Sequence, residues 1–330
     1  MKLTLLLDPY PDTKWELAGQ IGVKHAVTKI PQHPVKIKGT ADVPPWEYLP
    51  LLHLKNRFSD AGIELAGLEG DQFDMQRIKL GKPGRDEDID RFCELLRNMS
   101  RVGINLFCYN FMAQFGWLRT SISTPTRGGA LTSRFDYDQV ENAPVTTAGP
   151  VSEQQLWENF EYFLKKIVPV AEEYRVRLAL HPDDPPLSPL RGMARIFTSV
   201  DAFTKAITMV PSPYNGITFC QATFFAMGED PYKAAKLFLE QDKLFFAHFR
   251  NIKKTKEGFM ETFHDDGDID MARMMKVYKA GGFRGPIRPD HTPTLAGETN
   301  DSPGYGMLGR LHAVGFMQGI LQALQSGEEN

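Results

Sequence analysis

The chain has 330 residues, of which 42% are hydrophobic and 24% are charged, an ordinary composition for a globular protein that excludes a disordered or fibrous chain. Its formal net charge of −3 provides no cationic surface for a polyanion, so we expect no nucleic-acid partner. The three cysteines are odd in number and widely spaced, which argues against a disulfide framework and favours a cytoplasmic location.

The first predicted element is the apolar segment Leu3 to Leu7, which ends at Asp8 and Pro9. This segment is too short for the core of a signal peptide or for a membrane span. We therefore predict that it forms the first strand and that the protein has no membrane partner.

Short β-rich segments that end in polar residues alternate along the chain with segments of helical periodicity. This alternation is typical of a parallel sheet, and eight such units predict a closed barrel. The predicted strands are Leu3 to Leu7, Val23 to Thr28, Ile63 to Leu68, Ile104 to Cys108, Val176 to Leu180, Ile217 to Cys220, Leu244 to His248 and Pro286 to Asp290. The sequence thus predicts an α/β protein with a single (β/α)8 barrel domain over residues 1–330.

Two predicted connections are longer than a barrel needs, at residues 69–86 and 110–151. Both follow the carboxyl end of a strand, so we expect both to overhang the mouth of the barrel. Connections of this length are typical of functional lids.

Residue types that bind metals end four consecutive predicted strands: His181, Cys220, His248 and Asp290. A single histidine at a strand end is more often a structural residue, but reactive side chains of this fold converge at the carboxyl ends of the strands. Two imidazoles, a thiolate and a carboxylate suit Mn²⁺, Fe²⁺, Co²⁺ or Zn²⁺ without selecting among them. Such a metal would stabilise negative charge that develops on a bound substrate.

Charged residues near these positions have two possible roles each. Arg288 lies two residues before Asp290 and shares its strand face, so it either meets a substrate carboxylate or pairs with an acid of the protein. Asp183 and Asp184 follow His181 in a rigid proline-containing segment. They either orient imidazole ligands or form caps and loop salt bridges.

Several motifs spread over most of the chain resemble those of the mannonate dehydratase family. They are Ile78-Lys79-Leu80-Gly81 with Arg85-Asp86, Tyr109-Asn110-Phe111-Met112, the segment His181 to Pro186, His248-Phe249-Arg250-Asn251, Gly267-Asp268-Ile269-Asp270-Met271, Gly285-Pro286-Ile287-Arg288-Pro289-Asp290-His291 and Pro303-Gly304-Tyr305-Gly306. The resemblance implies a metal-dependent, xylose-isomerase-like barrel that usually holds Mn²⁺ or Fe²⁺. It also implies loss of water from D-mannonate to give 2-keto-3-deoxy-D-gluconate, a reaction of hexuronate catabolism.

The resemblance also implies roles for individual residues. The implied metal ligands are His181, Cys220, His248 and Asp290. His291 and Tyr305 match the positions of proton-transfer groups, and which of them is the acid and which the base stays open. Three residues are predicted to bind the substrate, namely Arg288, Asn110 and His264.

Two mouth segments depart from the family pattern. The chain has Phe73-Asp74-Met75-Gln76 where the family typically has Pro-Val-His-Glu, and Gly116-Trp117-Leu118-Arg119-Thr120 where it commonly has Asp-Trp-Thr-Arg-Thr. Mouth loops set substrate choice, so the sequence supports the reaction class better than the named substrate.

Three alternatives therefore stay open. The first is a dehydratase of another aldonate, and the second is a sugar isomerase or epimerase that uses the same metal site. The third is a non-catalytic, metal-dependent sugar-acid binding protein, against which the retained His291 and Tyr305 argue. In each case we expect a small sugar acid as ligand and a homo-oligomer, a dimer or a larger assembly.

Overall fold

The structure is a computed structural model that describes residues 1–39 and 41–326. The strands, in chain order, are β1 (Lys2–Leu6), β2 (His25–Thr28), β3 (Glu64–Glu69), β4 (Leu106–Tyr109), β5 (Ser121–Pro125), β6 (Leu131–Asp136), β7 (Arg177–Leu180), β8 (Asn215–Cys220), β9 (Leu244–Phe249), β10 (Ile252–Lys254), β11 (Gly258–Glu261) and β12 (Pro286–Pro289). The helices are α1 (Thr13–Gln20), α2 (Tyr48–Asp60), α3 (Gln76–Lys79), α4 (Arg85–Val102), α5 (Glu153–Glu173), α6 (Val200–Met209), α7 (Gln221–Ala226), α8 (Pro231–Glu240), α9 (Met271–Ala280) and α10 (Met307–Ser326).

Eight parallel strands close into a barrel in the order β1-β2-β3-β4-β7-β8-β9-β12, and β12 pairs with β1. Each predicted strand coincides with one of them, with bounds that agree within two residues. The prediction of a (β/α)8 barrel is confirmed. No described helix combines the length and the hydropathy that crossing a lipid bilayer requires.

The barrel strands form because their sequences are apolar on both faces. Every residue of β8 and of β9 is buried, as expected for parallel strands covered by side chains inside and by helices outside. Helix starts are also encoded locally: the Ser152 hydroxyl accepts a hydrogen bond from the Gln155 backbone N–H at 3.2 Å and caps α5. Apolar strand sequences and helix caps, which are local sequence signals, therefore account for most of the barrel elements.

A second, four-stranded sheet has the order β10-β11-β6-β5 and antiparallel pairing throughout. Two of its strands come from residues 110–151, which are predicted as a long connection, and the other two follow β9 directly. Phe135 of β6 is fully buried, and its ring centroid lies 5.8 Å from that of Phe259 on β11. The segment after β4 is thus folded against the chain that leaves β9.

Candidate metal centre and active site

The four predicted metal ligands meet at the carboxyl ends of adjacent barrel strands. Cys220 pairs in register with His248, and so does Arg288, so the ends of β8, β9 and β12 lie at one level. His181 Nε2 lies 3.2 Å from His248 Nδ1, which lies 3.6 Å from Asp290 Oδ2. Cys220 Sγ lies 4.0 Å from the same Asp290 oxygen. One donor atom each of His181, Cys220 and His248 lies within 4.8 Å of the others, so one cation could contact these three, and Asp290 lies beside two of them.

The orientation of the two imidazoles fits a divalent metal. His181 Nδ1 lies 2.7 Å from the Pro182 carbonyl oxygen, so we assign the proton to Nδ1 and leave Nε2 bare. His248 has Glu69 Oε1 at 3.3 Å from Nε2, which leaves its Nδ1 facing His181. Partners of this kind on the outer nitrogen commonly fix metal-binding histidines. His181 Nε2 and His248 Nδ1 lie 3.2 Å apart, a distance at which they either share one proton or flank a cation.

Cys220 is held in the form that binds metals. Burial opposes ionisation of its thiol, but the Arg250 guanidinium and the two imidazoles hold the pKa of Cys220 well below its usual range. Arg250 Nη1 lies 3.5 Å from the sulfur, and the Thr223 hydroxyl donates to it at 3.0 Å. The thiolate is the ligand form of cysteine.

Glu69, Cys108 and His248 form a second group of possible metal donors that shares one imidazole with the first. Burial raises the pKa of the Cys108 thiol, which keeps it protonated. The Glu69 carboxylate is already held by Arg288, whose Nε donates to it at 3.0 Å. The first donor set therefore fits a metal better than the second.

Arg288 is engaged with acids of the protein. Besides Glu69, it contacts Asp290, whose Oδ1 accepts from Nη1 at 2.8 Å, and its side chain is 1% exposed. Of the two roles left open by the sequence, the structure shows the pairing with an acid. Glu69 was not identified from the sequence, because a glutamate at the start of a predicted loop carries no signal of a partner on β12.

Asp183 and Asp184 also pair within the protein. Asp183 Oδ2 accepts from the Phe197 backbone N–H at 2.9 Å, as a loop cap does. Asp184 Oδ1 accepts from Arg119 Nη1, and Oδ2 from Arg250 Nη1, both at 2.7 Å. In the described part of the chain, neither carboxylate has a hydrogen bond to an imidazole. Their positions match the structural alternative.

Glu261 on β11 joins the two arginines to His291. Its Oε1 accepts from Arg119 Nη2 at 2.7 Å, and its Oε2 accepts from Arg250 Nε at 2.9 Å. His291 Nδ1 lies 3.1 Å from Glu261 Oε1, so we assign the proton to Nδ1, and the unprotonated Nε2 lies 3.7 Å from Asp290 Oδ1. The second sheet thus supplies the carboxylate that orients a predicted proton-transfer group. This contact was not predicted, since Glu261 ends none of the predicted barrel strands.

The Tyr305 side chain contacts both His291 and Asp290. Its hydroxyl donates to Asp290 Oδ1 at 3.3 Å, and its ring centroid lies 5.5 Å from that of His291. Burial and the Asp290 charge raise the pKa of Tyr305, so its hydroxyl stays protonated at neutral pH. A protonated phenol next to a free imidazole nitrogen can serve as an acid next to a base.

A cavity of about 360 Å³ at the barrel mouth is lined by His181, His248, Asp290, His291 and Tyr305, whereas Cys220 is fully buried outside its lining. Asn110 lines the cavity too, with Oδ1 accepting from Lys79 Nζ at 2.9 Å. His264 is not part of the lining: its imidazole is fully buried, and Nε2 lies 2.6 Å from the Phe249 carbonyl oxygen. Burial lowers the pKa of His264 to about 4. The position of His264 behind the cavity wall does not support the predicted substrate contact.

The two segments that depart from the family pattern take different positions. In the first, Met75 is buried, and Gln76 Oε1 accepts from the Gln114 backbone N–H at 2.6 Å. In the second, Trp117 lines the cavity with its ring centroid 5.5 Å from that of His291. Trp117 is therefore a candidate substrate contact that was not predicted from the sequence.

Glu261→Gln is expected to lower the free energy of unfolding by about 3 kcal/mol, because it leaves two buried arginines with one carboxylate between them. Burial raises the pKa of Glu261, but the opposing effect of nearby positive groups is larger. These groups, Arg250, His291 and Arg119, lower the pKa from 4.5 to about 2. The ionised Glu261 carboxylate thus stabilises the fold at neutral pH, and this stabilisation is lost as the pH falls below 4.5 towards about 2. Urea denaturation at neutral pH measures the loss.

The matched control is Glu257→Gln. The Glu257 side chain is 39% exposed and lies 3.4 Å from Arg134, so its loss should cost no more than about 1 kcal/mol. Equal losses in the two variants would show that the buried network does not stabilise the fold.

Comparison with known proteins agrees with this geometry. The family model for D-mannonate dehydratase matches residues 14–148 and 146–330. A mannonate dehydratase of Thermotoga petrophila is 34% identical over 321 residues, covering 86% of this chain and 88% of the relative. The crystal structure of mannonate dehydratase from Streptococcus suis serotype 2 superposes with a TM-score of 0.89 at 30% identity, covering 99% of this chain and 96% of the other.

A more remote structure shares the fold alone. The xylose isomerase domain protein from Planctomyces limnophilus is 14% identical, with a TM-score of 0.63 over 98% of this chain and 99% of the other. The barrel is therefore xylose-isomerase-like, as predicted. With a family model that spans nearly the whole sequence, the chain belongs to the D-mannonate dehydratase family.

Proposed function

We propose that the protein is a metal-dependent dehydratase that converts D-mannonate to 2-keto-3-deoxy-D-gluconate. The observation that carries the proposal is that His291 and Tyr305 line the same cavity of about 360 Å³ as His181, His248 and Asp290. A cavity of this size accommodates a small sugar acid.

His181, Cys220, His248 and Asp290 would hold the metal, which we propose to be Mn²⁺ or Fe²⁺, while Co²⁺ and Zn²⁺ also suit these donors. When bound, the metal supplies positive charge that stabilises negative charge developing on substrate oxygens. Arg288 orients Asp290 through their hydrogen bond at 2.8 Å.

The residues of the chain supply both proton transfers. We assign His291 as the base that takes the proton from C2, because Glu261 holds the proton on Nδ1 and leaves Nε2 unprotonated. Tyr305 is the acid that gives its proton to the C3 hydroxyl, since its pKa is raised by burial and by Asp290. The C3–O bond breaks, one water leaves, and the resulting enol tautomerises to the 2-keto acid.

We further propose a cytoplasmic location, which the three free, buried cysteines support. The predicted partner is the sugar acid itself, without nucleic acid. The homo-oligomer stays a prediction that light scattering would test.

Product analysis tests the proposed function. The protein is incubated with D-mannonate and with Mn²⁺, Fe²⁺ or Co²⁺ in turn, and the product is identified by mass and by NMR. We expect a 2-keto-3-deoxy acid that has lost one water. A product of unchanged mass would indicate an isomerase or epimerase, and turnover of a different aldonate alone would change the substrate. Tight binding without turnover in any metal would indicate a binding protein.

A further inference from the structure

Asp71 forms part of the wall of the active-site cavity, in the loop that follows β3. Asn110, which follows β4, lines the cavity beside it, and its Nδ2 lies 3.4 Å from Asp71 Oδ1. Counted around the barrel through β1, β3 and β4 are the third and fourth strands from β12. Asp71 and Asn110 therefore lie across the barrel mouth from His291, which follows β12.

A buried lysine fixes the orientation of both side chains. The Lys79 side chain is fully buried, and its Nζ donates to Asp71 Oδ2 at 2.7 Å and to Asn110 Oδ1 at 2.9 Å. Asn110 Oδ1 also accepts from the Met112 backbone N–H at 3.1 Å, so the amide cannot turn over without losing both donors. Lys79 thus engages one oxygen of Asp71 and the amide oxygen of Asn110, and it leaves Asp71 Oδ1 and Asn110 Nδ2 for another group.

The backbone that carries Asp71 is also held in place. Gln72 is 3% exposed, and its Nε2 donates to the Glu69 and Gly70 carbonyl oxygens at 3.0 and 2.7 Å. Its Oε1 accepts from the Ile30 backbone N–H at 2.8 Å, which ties the loop to the chain after β2. The Asp71 side chain nevertheless keeps 32% of its surface exposed. An accessible polar group that buried neighbours hold in one position is preorganised to bind a ligand.

Asp71 Oδ1 and Asn110 Nδ2 present one acceptor and one donor side by side. Within the described residues, the contact between them at 3.4 Å is the only hydrogen bond of either atom, and it is long. A hydroxyl can donate to the carboxylate and accept from the amide at the same time. Because His291 and Tyr305 act at C2 and C3, we infer that Asp71 binds a hydroxyl of the substrate chain beyond C3. This inference rests on the proposed function and makes Asp71 a determinant of which aldonates are turned over.

The loop after β3 is also one of the two places where the chain departs from the family pattern. Asp71 precedes the departing segment, Phe73 to Gln76, by two residues. Loops at the carboxyl ends of barrel strands vary most between enzymes of this fold and set their substrate choice. The position of Asp71 in such a loop fits a role in substrate preference, apart from the proton transfers of His291 and Tyr305.

Deoxy analogues of D-mannonate test the contact. The metal-loaded protein is assayed with D-mannonate and with its 4-deoxy, 5-deoxy and 6-deoxy forms, each of which lacks one hydroxyl beyond C3. In the wild type we expect kcat/KM to fall about tenfold for one of the three, the effect of one hydrogen bond to a charged group. In Asp71→Ala the same analogue should be turned over as well as D-mannonate. The ratio within one variant cancels any loss of folded or metal-loaded enzyme.

Two further variants make the test independent of the stability of Asp71→Ala. Asp71→Asn keeps an oxygen for Lys79, and the tenfold ratio should shrink to about threefold, because a neutral hydrogen bond is about half as strong as a charge-assisted one. Asp74→Asn is the control, since Asp74 is exposed in the same loop and lies outside the cavity lining. This variant should keep the wild-type ratio.

The outcomes separate this inference from the proposed function. Equal kcat/KM for all four acids in the wild type, or a tenfold ratio that persists in Asp71→Ala and Asp71→Asn, would overturn the inference and leave Asp71 as the ion-pair partner of Lys79. Failure of the wild type to turn over any aldonate would contradict the proposed function instead. Calorimetry of the same four acids then decides on Asp71. A loss of affinity for one analogue that disappears in Asp71→Ala would support the contact, and a loss that persists, or equal affinities in the wild type, would overturn it.

Discussion

Cys220→Ala is expected to lose the bound divalent metal and, with it, all turnover. The thiolate is one of four donors, and its loss leaves two neutral imidazoles and Asp290 to hold the ion. Changes to groups that merely orient ligands cost about 10–100-fold in metal affinity, so loss of a ligand should cost at least about a hundredfold. Metal content after dialysis, measured by mass spectrometry, gives the result.

Cys93→Ala is the matched control, because Cys93 is also a free, buried cysteine but lies on α4 away from the site. Burial raises the pKa of its thiol to about 11, so it is not a thiolate. This variant should keep its metal. Full retention of metal in Cys220→Ala would discredit the proposed ligand set.

Tyr305→Phe is expected to reduce turnover by about 10²–10⁴-fold while metal content stays unchanged. The substitution removes only the hydroxyl, so the acid that protonates the leaving C3 hydroxyl is lost. Asp290 keeps its hydrogen bond from Arg288 Nη1 at 2.8 Å, which preserves the carboxylate in its position. Steady-state rates and metal content are measured on the same preparation.

Tyr10→Phe serves as the control for this prediction, since Tyr10 is 54% exposed and does not line the active-site cavity. Its turnover should match that of the wild type. A Tyr305→Phe enzyme with wild-type turnover would remove Tyr305 from the reaction and leave the acid to be found elsewhere.

The barrel, and the nearness of the proposed metal donors to one another, could be predicted because their signals are local. Buried parallel strands have continuous apolar sequences, and His181, Cys220, His248 and Asp290 directly follow or end such segments. Since the fold itself brings these ends together, no long-range contact had to be inferred.

The second sheet and its contacts could not be predicted in this way. β5 has the sequence Ser-Ile-Ser-Thr-Pro, which carries no strong strand pattern, and its sheet joins residues 121–136 to residues 252–261. Pairing between segments so far apart leaves no local signal. Glu261 and Arg119, which meet across 142 positions, were missed for this reason, and the burial of His264 follows from the same unpredicted chain path.

Absorption spectroscopy of the Co²⁺-loaded protein tests most directly whether Cys220 and its neighbours hold the metal. The wild type and Cys108→Ser should show a thiolate-to-cobalt charge-transfer band in the near ultraviolet, and Cys220→Ser should lack it. A band that persists in Cys220→Ser but vanishes in Cys108→Ser, or a wild type without the band, would contradict the proposed metal centre.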